Sequence, residues 1–225
     1  MITEKELIVE QLQGDVLTPI SIYQRLKGKK KFLLESSLKH EHSGRYSFIG
    51  AIPAYEVKGC NGKTTIIYPD GEQEMSEKPL EVIKQLIPYK SSIQMDEFPF
   101  IGGAVGIVGY DVVRHYEKIG ERLPDELGIP DVHFMMFEVV IVFDHLYQKV
   151  FIVGVPLLEN TSSDDLRKRI DMVKKEILYG NDKESEPVSI SSYESLMEKE
   201  KYIEIVKKAK EYIVEGDIFQ VVLSQ

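Results

Sequence analysis

The stretch Met135-Met136-Phe137-Glu138-Val139-Val140-Ile141-Val142-Phe143, with Asp144-His145-Leu146-Tyr147-Gln148-Lys149 and Val150-Phe151-Ile152-Val153-Gly154-Val155 after it, decides the fold class. Two apolar runs of strand length flank a short polar connection, which reads as a β-hairpin. Glu138 sits inside the first run. It either faces solvent across the sheet or is paired in the interior, and the residues alone leave both open.

Upstream lie further strands and turns. Asn61-Gly62 separates Tyr55-Glu56-Val57 from Thr64-Thr65-Ile66-Ile67-Tyr68, a strong hairpin signal, and Pro69-Asp70-Gly71 marks a second turn. Phe32-Leu33-Leu34 reads as a buried strand stopped by Glu35-Ser36-Ser37. The glycines of Phe98 to Tyr110 fit neither the dinucleotide nor the Walker spacing, so they predict close backbone approach in a strand or helix. Helices are predicted at four places. Thr18 caps one that starts at Pro19, and Pro79 opens a second carrying Leu80, Ile83, Leu86 and Ile87. Ser162 and Asp165 stand in capping-box spacing before Leu166, Ile170, Val173 and Ile177. The fourth presents Tyr202, Ile203, Val206, Ala209 and Ile213 and ends at Gly216. Asp111 to Ile119 is a further helical expectation, and Phe219 to Leu223 reads as a final strand. The pattern predicts an α+β fold of mixed or antiparallel sheets packed with helices.

Residues 181–192 are polar and contain Pro187, which reads as a linker. The expected organisation is a domain over 1–180, this linker, and the start of a second domain over 193–225 that is mostly missing. The 225 residues are 43% hydrophobic and 29% charged, which suits a globular chain and excludes wholly disordered or collagen-like readings. Asp and Glu outnumber Lys and Arg by 37 to 28, and a net charge of −9 argues against nucleic acid as partner despite the basic run Lys27 to Lys31. No stretch is apolar for the ~20 residues that span a bilayer. Cys60 is the sole cysteine, which excludes an internal disulfide framework. The expectation is a cytoplasmic chain without membrane contact.

Candidate chemistry is sparse in the residues themselves. His40-Glu41-His42 has an alternating spacing but no identifiable third metal ligand, and Asp144-His145 falls in a turn where Asp is expected anyway. No nucleophile elbow is present.

Three motifs add a resemblance. Phe32-Leu33-Leu34-Glu35-Ser36 with Gly44-Arg45-Tyr46-Ser47-Phe48-Ile49-Gly50, the glycine-rich Gly102 to Asp111, and Glu211-Tyr212-Ile213 with Gly216 to Gln225 resemble, in that order, anthranilate synthase component I. The resemblance implies that family's N-terminal domain followed by the start of its chorismate-using domain. It implies an enzyme that makes anthranilate and pyruvate from chorismate and ammonia in tryptophan biosynthesis. A glutamine amidotransferase subunit, component II, supplies the ammonia, and Mg2+ is the cofactor. The family's metal and substrate segments lie beyond Gln225, so inactivity of this chain alone is implied.

The Leu-Leu-Glu-Ser motif implies an L-tryptophan effector site at Glu35 and Ser36, with Arg45 and Ser47 as further candidates. A zwitterionic amino acid needs an acceptor for its ammonium and donors for its carboxylate, and these side chains supply both. Gln220 stands where water-using relatives carry a lysine, so a nucleophile-selecting role is implied for it. An aminodeoxychorismate synthase and a stand-alone amino-acid-binding module are the alternatives.

Overall fold

A computed structural model describes residues 7–35, 44–60, 62–87, 98–121, 124–158, 160–181, 189 and 192–224. The chain divides into two compact units, Met1–Lys183 and Glu184–Gln225.

Among the described residues the first unit carries ten strands in two five-stranded sheets, and every pairing within them is antiparallel. Along the chain these are β1 (Ile8–Gln13), β2 (Lys31–Leu34), β3 (Tyr46–Ala51), β4 (Tyr55–Cys60), β5 (Lys63–Tyr68), β6 (Gly71–Met75), β7 (Gly103–Val108), β8 (Val132–Phe137), β9 (Val139–Asp144) and β10 (Lys149–Gly154). The first sheet runs β1-β10-β9-β3-β2 and the second β6-β5-β4-β8-β7. Sheets packed with helices are the α+β architecture that the hydrophobic pattern predicts.

The apolar run at 135–143 is not one strand. It breaks at Glu138, so that β8 lies in the second sheet and β9 in the first. The break has a chemical cause. The Glu138 side chain is 1% exposed, and its Oε1 accepts hydrogen bonds from the backbone N–H groups of Leu157 and Leu158, each at 2.9 Å. Oε2 accepts from Arg169 Nη1. A carboxylate cannot be buried in a ladder without partners of this kind, so the backbone turns where the side chain finds them. Of the two readings open for Glu138, the paired one holds.

The helices cover one face of each sheet. Helix α1 (Pro19–Arg25) starts at Thr18, whose Oγ1 accepts from Ser21 N–H at 3.0 Å, and α3 (Ser163–Tyr179) starts at Ser162, whose Oγ accepts from Asp165 N–H at 3.1 Å. Leu166, Ile170 and Ile177 of α3 and Ile22 of α1 meet Ile49, Ile141, Phe143 and Ile152 of the first sheet. The other face of that sheet buries Val140 and Val142. Helix α2 (Pro79–Leu86) packs Val82 and Ile83 against Tyr55, Val57 and Ile66 of the second sheet. Where the sheets meet, Phe32 lies edge-on to Phe137, with ring centroids 4.7 Å apart. Gly106 of β7 has the close approach expected of the glycine segment: a Cβ there would lie 2.0 Å from the His133 carbonyl oxygen.

Other expectations are revised. Strand β2 is an edge strand with only Phe32 buried, not a buried strand. The helix expected over 111–119 is a 3₁₀ helix, Tyr110–His115, with no buried residue, so no packing rewards its extension. The basic run is partly structural. Lys31 Nζ donates to the carbonyls of Tyr23 and Leu26 at the end of α1, and Lys30 pairs with Glu56. The second unit contains α4 (Lys199–Glu215), closed by Gly216 at φ 84°. Phe219 to Leu223 forms no strand: it has no ladder partner among the described residues, and strand propensity alone does not order a segment. No helix among the described residues is long and apolar enough to cross a membrane. His40-Glu41-His42 lies outside the described residues.

Two expected outcomes follow from these buried acids. Glu138→Ala strips an acceptor from two backbone N–H groups and a partner from Arg169, and it should lower unfolding free energy by about 3 kcal/mol in urea titrations. Glu138→Gln, which keeps one carbonyl acceptor, should cost less than half of that. The second outcome concerns pH. Burial pushes the Glu56 carboxyl up, but hydrogen bonds from Lys30 and His133 outweigh it and hold the group below its ordinary value. A depressed acid stabilises the fold above its unfolded-state pKa and loses that contribution as pH falls through the folded value. Thermal unfolding followed from about pH 7 to about pH 3 should therefore fall less steeply for Glu56→Gln than for the wild type.

Candidate functional site

The polar side chains nearest to a site gather where β2 ends and β3 begins. Pairing sets Leu34 opposite Phe48, Tyr46 opposite Asp144 and Ser47 opposite Phe143. The residue after β2, Glu35, thereby comes alongside the start of β3 and the β9–β10 turn.

Ser47 is fully buried, and its Oγ lies 2.7 Å from His145 Nε2 and 3.5 Å from Glu35 Oε1. One hydroxyl has one proton. If it goes to Glu35, the imidazole must present an N–H to Ser47; if it goes to His145, Glu35 keeps a free acceptor oxygen. Arg45, just before β3, is held by Asp144. Its Nε donates to both Asp144 oxygens at 3.2 and 3.1 Å, and Nη2 donates to Oδ2 at 2.6 Å. The guanidinium also lies 4.8 Å from the Tyr46 ring and 4.9 Å from the Tyr147 ring. Asp144 Oδ1 further accepts from the N–H groups of Leu146 and Tyr147 at 2.9 and 3.2 Å. Burial pushes the Asp144 carboxyl up, but Arg45 and these two N–H groups together hold it below its ordinary value. Asp144 in turn raises Arg45.

A serine, a histidine and an acid within reach invite comparison with nucleophilic triads, and the geometry argues against one. Ser47 is sealed from substrate, the acid beside it contacts the serine rather than the imidazole, and Asp144 is committed to Arg45 and its own turn. The arrangement presents a carboxylate at Glu35 and, at Arg45, a guanidinium whose Nε and Nη2 are held by Asp144.

Glu35, Arg45 and Ser47 are thus brought to one end of the first sheet. Ser36 lies outside the described residues. Gln220 is in the second unit, exposed and without regular structure. Asp144 and His145 were visible in the sequence as an acid–histidine pair in a turn. Only the register of β3 against β9 shows that the turn grips Arg45 and Ser47. No group of three or more His, Cys, Asp or Glu among the described residues is arranged to hold a metal ion.

Residues 29–225 match the profile of the chorismate binding enzymes. Anthranilate synthase component 1 of Acetivibrio thermocellus is 38% identical over 236 residues, covering 97% of this chain and 47% of the relative. That of Lactococcus lactis is 33% identical over 220 residues, covering 96% and 48%. The crystal structure of anthranilate synthase component I from Streptococcus pneumoniae superposes with a TM-score of 0.66 at 33% identity, over 91% of this chain and 45% of that one. The chain spans about half the length of the curated relatives it matches. With the profile matched over residues 29–225 and relatives 33% and 38% identical over nearly all of the chain, the chain belongs to the family of chorismate-binding enzymes, on the anthranilate synthase component I pattern.

Proposed function

We propose that this chain is the feedback-regulatory part of an anthranilate synthase component I, and that L-tryptophan binds at the end of the first sheet where Glu35, Arg45 and Ser47 gather, with Ser36, the residue after Glu35, as a further contact. The observation that carries the reading is the contact of Ser47 with Glu35, which joins the two stretches of the first motif. The Glu35 carboxylate accepts the ammonium of the effector. Arg45, fixed by Asp144, turns its free Nη1 toward a carboxylate. Burying an indole of ~200 Å2 contributes about 5 kcal/mol before association costs are subtracted. The effector acts on catalysis through a shared equilibrium, so its site need not touch the reacting atoms.

The complete cytoplasmic enzyme takes chorismate as substrate, Mg2+ as cofactor and a component II amidotransferase as its ammonia source. Gln220 belongs to the catalytic side. A neutral amide cannot act as a base for water, which fits a reaction whose nucleophile, ammonia, needs no such base.

Calorimetric titration of L-tryptophan into the chain should give a saturable heat. Ser36→Phe, which fills the indole's space, and Ser47→Ala, which removes the hydroxyl between Glu35 and His145, should each weaken binding roughly tenfold or more. A titration without heat, or variants that bind like the wild type, would sink the effector site. A separate outcome concerns turnover. With chorismate, Mg2+ and an ammonium salt, the chain alone should produce no anthranilate fluorescence above background, because no acidic cluster among the described residues is arranged to hold the metal. Mg2+-dependent turnover would overturn that.

A further inference from the structure

The chain leaves β3 through Ala51-Ile52-Pro53-Ala54, and Ile52 stands at φ 55°. A β-branched residue in the left-handed region is a strained outlier, and such outliers cluster at ligand sites. Ile52 is also 58% exposed, an apolar side chain held out of the core. It forms one edge of a cavity of about 550 Å3, within the usual range of small-molecule sites. Val139, Leu158 and Met172 supply further apolar walls.

The charged lining is uneven. Asp70, Glu138 and Glu176 face Arg169 alone, three carboxylates against one guanidinium, for a net −2. Glu138 and Arg169 neutralise each other. Glu176 is positioned by the Lys27 backbone N–H, which donates to Oε2 at 2.9 Å and leaves Oε1 as an acceptor. Asp70 projects from the β5–β6 turn, and Tyr68 adds an aromatic ring. A cation is attracted both by carboxylates without a partner charge and by a ring face.

We propose that this cavity is a binding site for a small molecule with an apolar body and a cationic amino head. The site is independent of the effector reading. It opens at the Glu138 end of β9, whereas Glu35, Arg45 and Ser47 gather at the Asp144 end, and its charge favours a cation over a zwitterion.

The chain contains no tryptophan, so the fluorescence of an indole probe excited at the red edge of its band, beyond the absorption of the 12 tyrosines, reports on the probe alone. Tryptamine and indole-3-propionate share a ring and differ in the sign of the head group. In anisotropy titrations with the full chain, tryptamine should bind saturably and indole-3-propionate at least roughly tenfold more weakly. Glu176→Gln should weaken tryptamine. Met172→Lys should do so roughly tenfold. Position 172 is half exposed and accepts a charge without unfolding, which a circular-dichroism melt checks. Ser47→Ala should leave tryptamine binding unchanged. The proposal falls if both probes bind equally, if tryptamine does not saturate, or if folded Met172→Lys binds like the wild type. It also falls if Ser47→Ala abolishes tryptamine binding, because the probe is then at the effector site. Loss of tryptophan binding in Ser47→Ala with tryptamine unaffected leaves both sites standing. Tryptophan binding that Ser47→Ala does not touch sinks the effector reading alone.

Discussion

One buried carboxylate sets the architecture. Glu138 interrupts an apolar run that would otherwise continue as a single strand, and its oxygens are satisfied only where the 155–158 segment and Arg169 of α3 converge. The main chain cooperates, since Val155 N–H donates to the Glu138 carbonyl at 2.7 Å. The same bend hands β8 to one sheet and β9 to the other, so the division into two sheets, the seat of α3 and the floor of the Ile52 cavity depend on it. A buried ion pair is weak evidence for stability in itself, and its value here lies in specificity. An apolar residue at 138 would bury well, but it would give neither the Leu157 and Leu158 N–H groups an acceptor nor the chain a reason to change sheets.

The other end of β9 is organised by a second carboxylate. Asp144 closes the hairpin turn with two N–H bonds and fixes Arg45 in the same stroke, while the next residue holds Ser47. A turn of this kind does local work in any hairpin. Register turns it into a site, because antiparallel pairing places Tyr46 opposite Asp144 and brings the neighbouring arginine and serine within reach.

Most of the elements were legible in the sequence because each carries a local signal. Thr18-Pro19 and Ser162 cap helices through contacts three residues away, and Gly62 of the predicted turn precedes β5, which pairs with β4 as a hairpin. What sequence could not supply is information held by distant partners. Nothing near Glu138 reveals that Arg169 neutralises it, and strand periodicity is blind to a change of sheet between two equally apolar halves. The same holds for Phe219 to Leu223, whose composition is that of a strand but whose ladder partner is not among the described residues. For the site, motif resemblance pointed to Glu35, Arg45 and Ser47. Asp144 and His145 read as turn residues, because the residues that give them a second role lie about a hundred positions earlier.

These two polar ends are joined by a strand that has little freedom to bend. Strand β9 is paired on both edges and buried on both faces, with Ile141 and Phe143 toward the helices and Val140 and Val142 away from them. Close-packed interiors shift between discrete arrangements rather than deform smoothly. A ligand at either end therefore cannot act by stretching β9. On the two proposed readings a ligand would act instead on the segments that rim each end: the β9–β10 turn around Arg45, and the Ala51–Ala54 loop with Ile52 at φ 55°. Ile52 already stands in an unfavourable conformation, so a ligand that rewards a different one needs little differential affinity to move the loop. Strand β3, which begins beside Arg45 and ends beside Ile52, is likewise paired on both edges, by β2 and β9, so neither end is tied to the other by a strand free to deform.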